Sequence, residues 1–373
     1  MLPCSATARR SRRVCTSTSG VISSPYDLVR NRALPRGRLP ADPGVVPPML
    51  SRALLIAAPL LAAFAAMSLS GLVPLLGPLL VALALGAVVA NLPFLGTETR
   101  LAIGDVSRTL LRVGIVLLGL RLSVTDLLSV GWGAVIVVIV TVVVTYTATC
   151  RLGDALGLDR GLVTLIAAGF SVCGAAAIAA VQDGVRAKQR NVALAVALVT
   201  VYGTAMILLL PPAARLLGLS TEQSAVWAGA SIHEVAQVVA TASLIGGSLA
   251  IALATTVKLG RVVTLAGVYV VASRRDGADG SEQPRAALVP WFVTGFVLAV
   301  LLRSTGALGH DVVAVADHVT TLLLGAGMFG LGLGLRARDL WPVPPRVLGL
   351  ATASTLVAAG TSLLLVVGTP LIS

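Results

Sequence analysis

Charge is scarce in this chain: Asp, Glu, Lys and Arg make up 12% of its 373 residues, where a soluble domain carries about a quarter. That shortage, with 56% hydrophobic residues, excludes an ordinary water-soluble fold. Aromatics are equally thin at 4%, and no succession of ten-residue alternating segments appears, so a membrane β-barrel is excluded too. The four cysteines, Cys4, Cys15, Cys150 and Cys173, include no C-x-x-C pair. They suggest free thiols, with no zinc site and no disulfide framework. No G-x-x-x-x-G-K-[ST] occurs, so a transporter built from this chain takes its driving force from an ion gradient or a partner protein.

What the sequence does have is long uncharged stretches and a mean hydropathy of +0.94. Apolar runs near the roughly 20 residues that span a bilayer fall at about 53–70, 72–92, 108–122, 131–150, 161–181, 191–212, 223–246, 248–272, 286–304, 316–335 and 347–370. These predict an all-α polytopic membrane protein with about eleven transmembrane helices. The third run is short, so ten is the alternative count. The 38 glycines fit helices whose backbones approach closely through small residues.

Residues 1–50 form a separate region. Arg9, Arg10, Arg12, Arg13, Arg30, Arg32, Arg36 and Arg38 stand among Ser and Pro, a composition too polar to bury a core, which predicts a disordered cytoplasmic tail ahead of a transmembrane domain at 51–373. No apolar segment follows the arginine cluster before residue 53, so the tail is not a secretory signal. Met49 just ahead of the first run makes an over-extended start of translation an alternative. The net charge of +12 sits mainly in this tail and between apolar runs, where the positive-inside rule accounts for it. No nucleic-acid module is visible.

With the tail inside, eleven spans also put Arg274/Arg275 and Arg336/Arg338/Arg346 inside, as positive charge prefers. Arg186, Lys188 and Arg190 would then face outside. Either the helix count is wrong in the middle of the chain, or these cations belong to an anion pathway. Two internal echoes bear on the architecture. Gly114–Leu127 matches Gly327–Leu340 at seven of fourteen positions, including Asp126 against Asp339. AGFSVCGAAAIAA from Ala168 resembles AGASIHEVAQVVA from Ala228. The echoes run in opposite order in the two halves, so they are not a tandem duplication, but they fit the repeated architecture common among secondary transporters.

An ionisable side chain in mid-membrane costs about 2.5–3.5 kcal/mol on insertion scales, so each one is a candidate for function. Lys258 and Arg261 lie three apart within the run 248–272, hence on one helical face, and two cations there would seat a dianion. The structural alternative is snorkelling to the interface, or pairing with Glu234. His233 and Gln237, four apart, would share a face: the histidine could carry a coupled proton and the amide could bind substrate oxygens. Glu234 would assist in coupling or orientation. The alternative is a polar cluster gluing helices together. Around Gly169, Ser171 and Gly174, small residues would let a helix break and aim N–H groups at an anion. Close small-residue packing is the alternative there.

Other motifs fail. Gly325, Gly327 and Gly330 spell G-x-G-x-x-G, but inside a membrane span with no preceding strand. His233-Glu234 begins an H-E-x-x-H motif, yet position 237 is Gln, which removes the second metal ligand. Cys173 has no histidine close to it in sequence. No metal, cofactor or catalytic residue is expected.

LLRVGIVLLGLRL (Leu110–Leu122), AAGFSVCGAAAIAA (Ala167–Ala180), ASIHEVAQVVA (Ala230–Ala240), Lys258-Leu259-x-Arg261 and Pro290-Trp291-Phe292 together resemble the YeiH family of bacterial inner-membrane proteins, to which sulfate export is ascribed. The resemblance covers about residues 50–370 and leaves out the tail. It implies a transporter of the cation/proton antiporter and anion transporter superfamily, with inverted repeats and broken helices crossing at mid-membrane. The resulting expectation is a secondary transporter in the cytoplasmic membrane, N-terminus inside, exporting sulfate or a related small oxyanion. Lys258, Arg261, Ser171, Cys173, Gly174 and Gln237 would bind substrate, and His233 and Glu234 would couple or orient. A proton- or sodium-coupled carrier of an organic sulfonate or carboxylate is a second reading, and an intramembrane enzyme using His233 and Glu234 with Cys173 a third. The expected partners are the anion and the lipid bilayer, with a homo-oligomer left open.

Overall fold

The computed structural model describes residues 48–71, 77–93, 95–122, 128, 130–185, 187–276, 290–336 and 342–368. The arginine-rich stretch through residue 47, Cys4, Cys15, Asp126, Arg186, Arg338 and Asp339 lie outside the described residues.

The described residues form helices and no strand: α1 (Pro48–Ser70), α2 (Pro78–Asn91), α3 (Thr97–Leu118) ending in a 3-10 turn (Gly119–Arg121), α4 (Trp132–Ala155), α5 (Arg160–Ser171), α6 (Ala175–Val181), α7 (Gln189–Leu216), α8 (Thr221–Ser231), α9 (Val235–Val263), α10 (Leu265–Asp276), α11 (Trp291–Ser304), α12 (His310–Gly332) and α13 (Pro345–Gly368). Six helical segments among them are long and apolar enough to cross a bilayer, and three shorter helices are also apolar. The short third run is resolved by growth at its N-terminal end, since α3 begins at Thr97.

Two of the eleven apolar runs double back on themselves. The run at 161–181 stops at Ser171 and restarts at Ala175, and its ends return to one place. A Cβ on Gly161 would lie 3.9 Å from Ala187, and Asn191 Nδ2 donates to Asp159 Oδ1 at 2.8 Å. The same Asp159 oxygen accepts from the Leu162 N–H at 3.0 Å and so starts α5. The run at 223–246 behaves likewise. Ser220 starts α8 through a capping box with Gln223, the helix stops at Ser231, and by Gly246 the chain is back beside Thr221, whose Cγ2 lies 2.8 Å from where a Cβ would stand. A crossing of that length would hold those residues about 35 Å apart at 1.5 Å per residue. Both segments are therefore re-entrant hairpins. They stand where broken helices crossing at mid-membrane were expected, and six helical segments among the described residues have the length and apolarity to cross.

The second hairpin is closed by glycine. Within α9, Gly246 is extended and Gly247 takes φ 61° and ψ −159°, a conformation open to glycine alone. The chain reverses there and runs back through Lys258 and Arg261 into α10. Between the hairpin bases lies α7 with 28 residues, about 42 Å of helix, so the hairpins enter from opposite ends of the molecule and their tips meet near its middle.

The helices sort into two bundles. In one, α12 packs on α1, α2 and α3, with α11 against α3. Close approach is set by small residues: a Cβ on Gly327 would collide with the Leu111 side chain, and one on Gly330 with Ser107. The other bundle holds both hairpins with α4, α7, α10 and α13.

Candidate functional site

The two hairpin tips are built alike. Each first arm ends on a serine, Ser171 or Ser231, each tip is three residues, Val172–Gly174 or Ile232–Glu234, and each second arm starts immediately after, at Ala175 or Val235. These are the aligned positions of the AGFSVCGAAAIAA and AGASIHEVAQVVA echo. Every first arm brings a helix C-terminus, with its unpaired carbonyls, to the middle of the protein.

Those carbonyls are what Lys258 and Arg261 bind. Lys258 Nζ donates to Val172 O and to Ile232 O, both at 2.7 Å. Arg261 donates from Nη2 to Phe170 O at 2.8 Å, from Nη1 to Ala230 O at 2.6 Å and Ile232 O at 3.0 Å, and from Nε to Ser171 O at 3.0 Å. In the echo's register Phe170 corresponds to Ala230 and Val172 to Ile232, so each cation bridges equivalent oxygens of the two tips. Both side chains have no solvent exposure, which rules out snorkelling. Two helix C-termini carry about −1 together, so two cationic side chains over-compensate them.

The other expected residues divide by what they touch. Glu234 accepts from the Ala175 N–H at 3.2 Å and so ties the second tip to the first. Gln237 is engaged within its own bundle: its Oε1 accepts from the Glu234 N–H at 3.1 Å, and its Nε2 donates to Thr200 O at 3.2 Å and lies 3.4 Å from Thr204 Oγ1 on α7. His233 does not share a helical face with Gln237, because it lies in the tip itself. Its Nε2 is 3.2 Å from Thr355 Oγ1 on α13, its ring centroid lies 4.5 Å from that of Phe170 with the planes tilted by 51°, and its Nδ1 has no partner. Ser171 Oγ donates weakly to Ala168 O at 3.4 Å. Gly174 holds φ +76°, and a Cβ there would stand 2.5 Å from Glu234 Cγ.

A cavity of about 340 Å³ lies where the tips face the other bundle. Cys173, Ala176, Glu234, Val235, Ala236, Leu259 and Val262 line it from the hairpin side, and Leu118, Arg121, Thr321, Leu324 and Met328 from the other. Lys258 and Arg261 do not line it. Arg121, Asp317, Thr321 and Thr355 are the residues that sequence reasoning passed over. An arginine at the end of an apolar run reads as an interface residue, and nothing in sequence links it to residues some 200 positions later.

Among the described residues, six helical segments long and apolar enough to span a bilayer, apolar helices beside them and a buried polar centre define a multi-pass integral membrane protein. The chain matches the family described as Conserved hypothetical protein 698 over residues 50–351, and it belongs to that family. It is 42% identical over 289 residues to a UPF0324 membrane protein of Corynebacterium glutamicum, covering 77% of this chain and 84% of the relative. A UPF0324 membrane protein of Pseudomonas aeruginosa is 38% identical over 270 residues, 69% and 76% of the two chains. One from Agrobacterium fabrum is 33% identical over 290 residues, 76% and 82%. No solved structure matches.

Proposed function

We propose that this protein is a secondary transporter that carries a small anion, sulfate or a related oxyanion, in the cavity between its hairpin tips and the second bundle. The observation that carries the reading is the seating of Lys258 and Arg261, fully buried, across the equivalent carbonyls of two opposed re-entrant tips. Cationic groups are costly at mid-membrane unless function retains them. Paired half-helix ends at mid-depth are how many secondary transporters frame a site.

In this reading the cations are clamps and not direct ligands. They join the two tips so that both move as one unit, and their surplus positive charge makes the adjoining cavity favourable for an anion. Alternating access is then displacement of the hairpin bundle past the bundle of α1, α2, α3, α11 and α12, with Glu234 and His233 as the coupling groups.

The topology follows the same logic: nine crossings (α1, α2, α3, α4, α7, the second part of α9 with α10, α11, α12 and α13) and two inverted hairpins. One face then holds Arg100, Arg160, Lys188, Arg190, Arg274, Arg275, Arg336 and Arg346, the other Arg121, Arg215 and Arg303. By the positive-inside rule the first face and the N-terminus are cytoplasmic. Lys188 and Arg190, anomalous with eleven crossings, are on the correct side once the hairpins reverse.

The largely apolar lining and the Glu234 carboxyl favour a second reading, proton-coupled carriage of an organic sulfonate or carboxylate. Counterflow of radiolabelled sulfate in proteoliposomes, competed with unlabelled sulfate, methanesulfonate and acetate, tests both. Exchange of none of these anions removes the carrier reading.

A further inference from the structure

We propose that Arg121 is the side chain that grips the anion directly, an inference that rests on the carrier reading above. Among the described residues lining the cavity only Arg121 and Glu234 carry charge, and every hydrogen bond of Lys258 and Arg261 goes to a backbone carbonyl instead. Arg121 is thus the cation that an occupant of the cavity can touch.

Its present partners form a latch that can open. Arg121 Nη2 donates to Thr321 Oγ1 at 2.6 Å and to the main-chain oxygen of Asp317, and its Nε lies 2.7 Å from Asp317 Oδ1. Both Arg121 Nε and Asp317 Oδ1 are buried, yet they meet without hydrogen-bond alignment, and a contact lacking that alignment is weak. A small oxyanion presenting two oxygens matches the guanidinium fork better than a single carboxylate oxygen at the edge of the ring of donors. Sulfate, a sulfonate or a carboxylate all qualify. Arg121 stands in the 3-10 turn after α3, whereas the hairpin tips belong to the other bundle, so the bound anion bridges the two. Displacing one bundle past the other pulls the anion away from Arg121, which gives high affinity in one arrangement and release in the next.

The test is sulfate counterflow in proteoliposomes for the wild type, Arg121→Gln, Arg121→Lys and Asp317→Asn, each with its thermal unfolding midpoint. Loss of a charge-assisted contact raises the half-saturating sulfate concentration about 10- to 100-fold in Arg121→Gln. Arg121→Lys shows a smaller rise at an unchanged unfolding midpoint, because charge remains while the fork is lost. Asp317→Asn, which frees the guanidinium, leaves the half-saturating concentration unchanged or lowers it. If Arg121→Gln and Asp317→Asn raise it by the same factor, Arg121 is only a strut between α3 and α12, and the proposal is overturned while the carrier reading stands. Wild-type half-saturation in both Arg121 variants also overturns it. A wild type that exchanges no anion ends the carrier reading itself, and this inference with it.

Discussion

Lys258→Met separates a clamp from a ligand. Methionine matches the lysine stem in length and apolar volume but removes the ammonium, so no large cavity opens and the packing loss is small. What is lost is the pairing of Val172 O with Nζ and half the pairing of Ile232 O, at 2.7 Å each. A buried polar group left without its partner costs about 1–3 kcal/mol. Two such groups give about 2–6 kcal/mol, toward the lower end because Arg261 still reaches Ile232 O. At roughly 2 °C per kcal/mol for a domain of this size, the unfolding midpoint falls by about 4–12 °C. The assay is thermal unfolding of detergent-purified protein followed by tryptophan fluorescence. A midpoint within 1 °C of wild type would refute the clamp argument, because it would mean the tips hold together without the bridge.

Reversal of the two hairpins predicts that a cysteine replacing Lys188 reacts with a membrane-impermeant thiol reagent only from the cytoplasmic face, and one replacing Ser220 only from outside. The opposite pattern at position 188 would restore eleven crossings. Gly174→Ala combines a left-handed backbone with a collision at Glu234, so it should lower the unfolding midpoint and disturb the cavity together. A variant as stable as wild type would show that the tip relaxes freely. Arg112 pairs with Asp183 and so ties α3 to the first hairpin across the two bundles. Asp183→Asn should speed alkylation of Cys173, which lines the cavity, by about two- to fivefold, the modest change expected of a half-exposed ion pair; an unchanged rate would show that this pair does not restrain the bundles.

The membrane class and nearly every helix were legible because lipid demands long apolar segments, and length and charge are written directly in sequence. The hairpins were not, since 21 or 24 apolar residues read the same whether they pass through or turn back. Two local signals pointed to reversal: the cations at 186–190 on the wrong side of an eleven-helix topology, and the Gly246-Gly247 pair at the end of a run. The echo from Ala168 and Ala228 showed that two segments were alike, and its register marked the tips to the residue. Lys258 and Arg261 stand out in any reading as buried cations. Their partners do not, because main-chain oxygens leave no mark in sequence and all six hydrogen bonds reach carbonyls in the two tips or just before them, through contacts spanning 26 to 31 or 86 to 91 positions.

The likeness of the opposed tips has a consequence for direction. If the protein carries an anion as proposed, a pocket bounded by matching turns offers no intrinsic preference for one compartment, and the sense of net movement is left to whatever concentration difference the cell maintains.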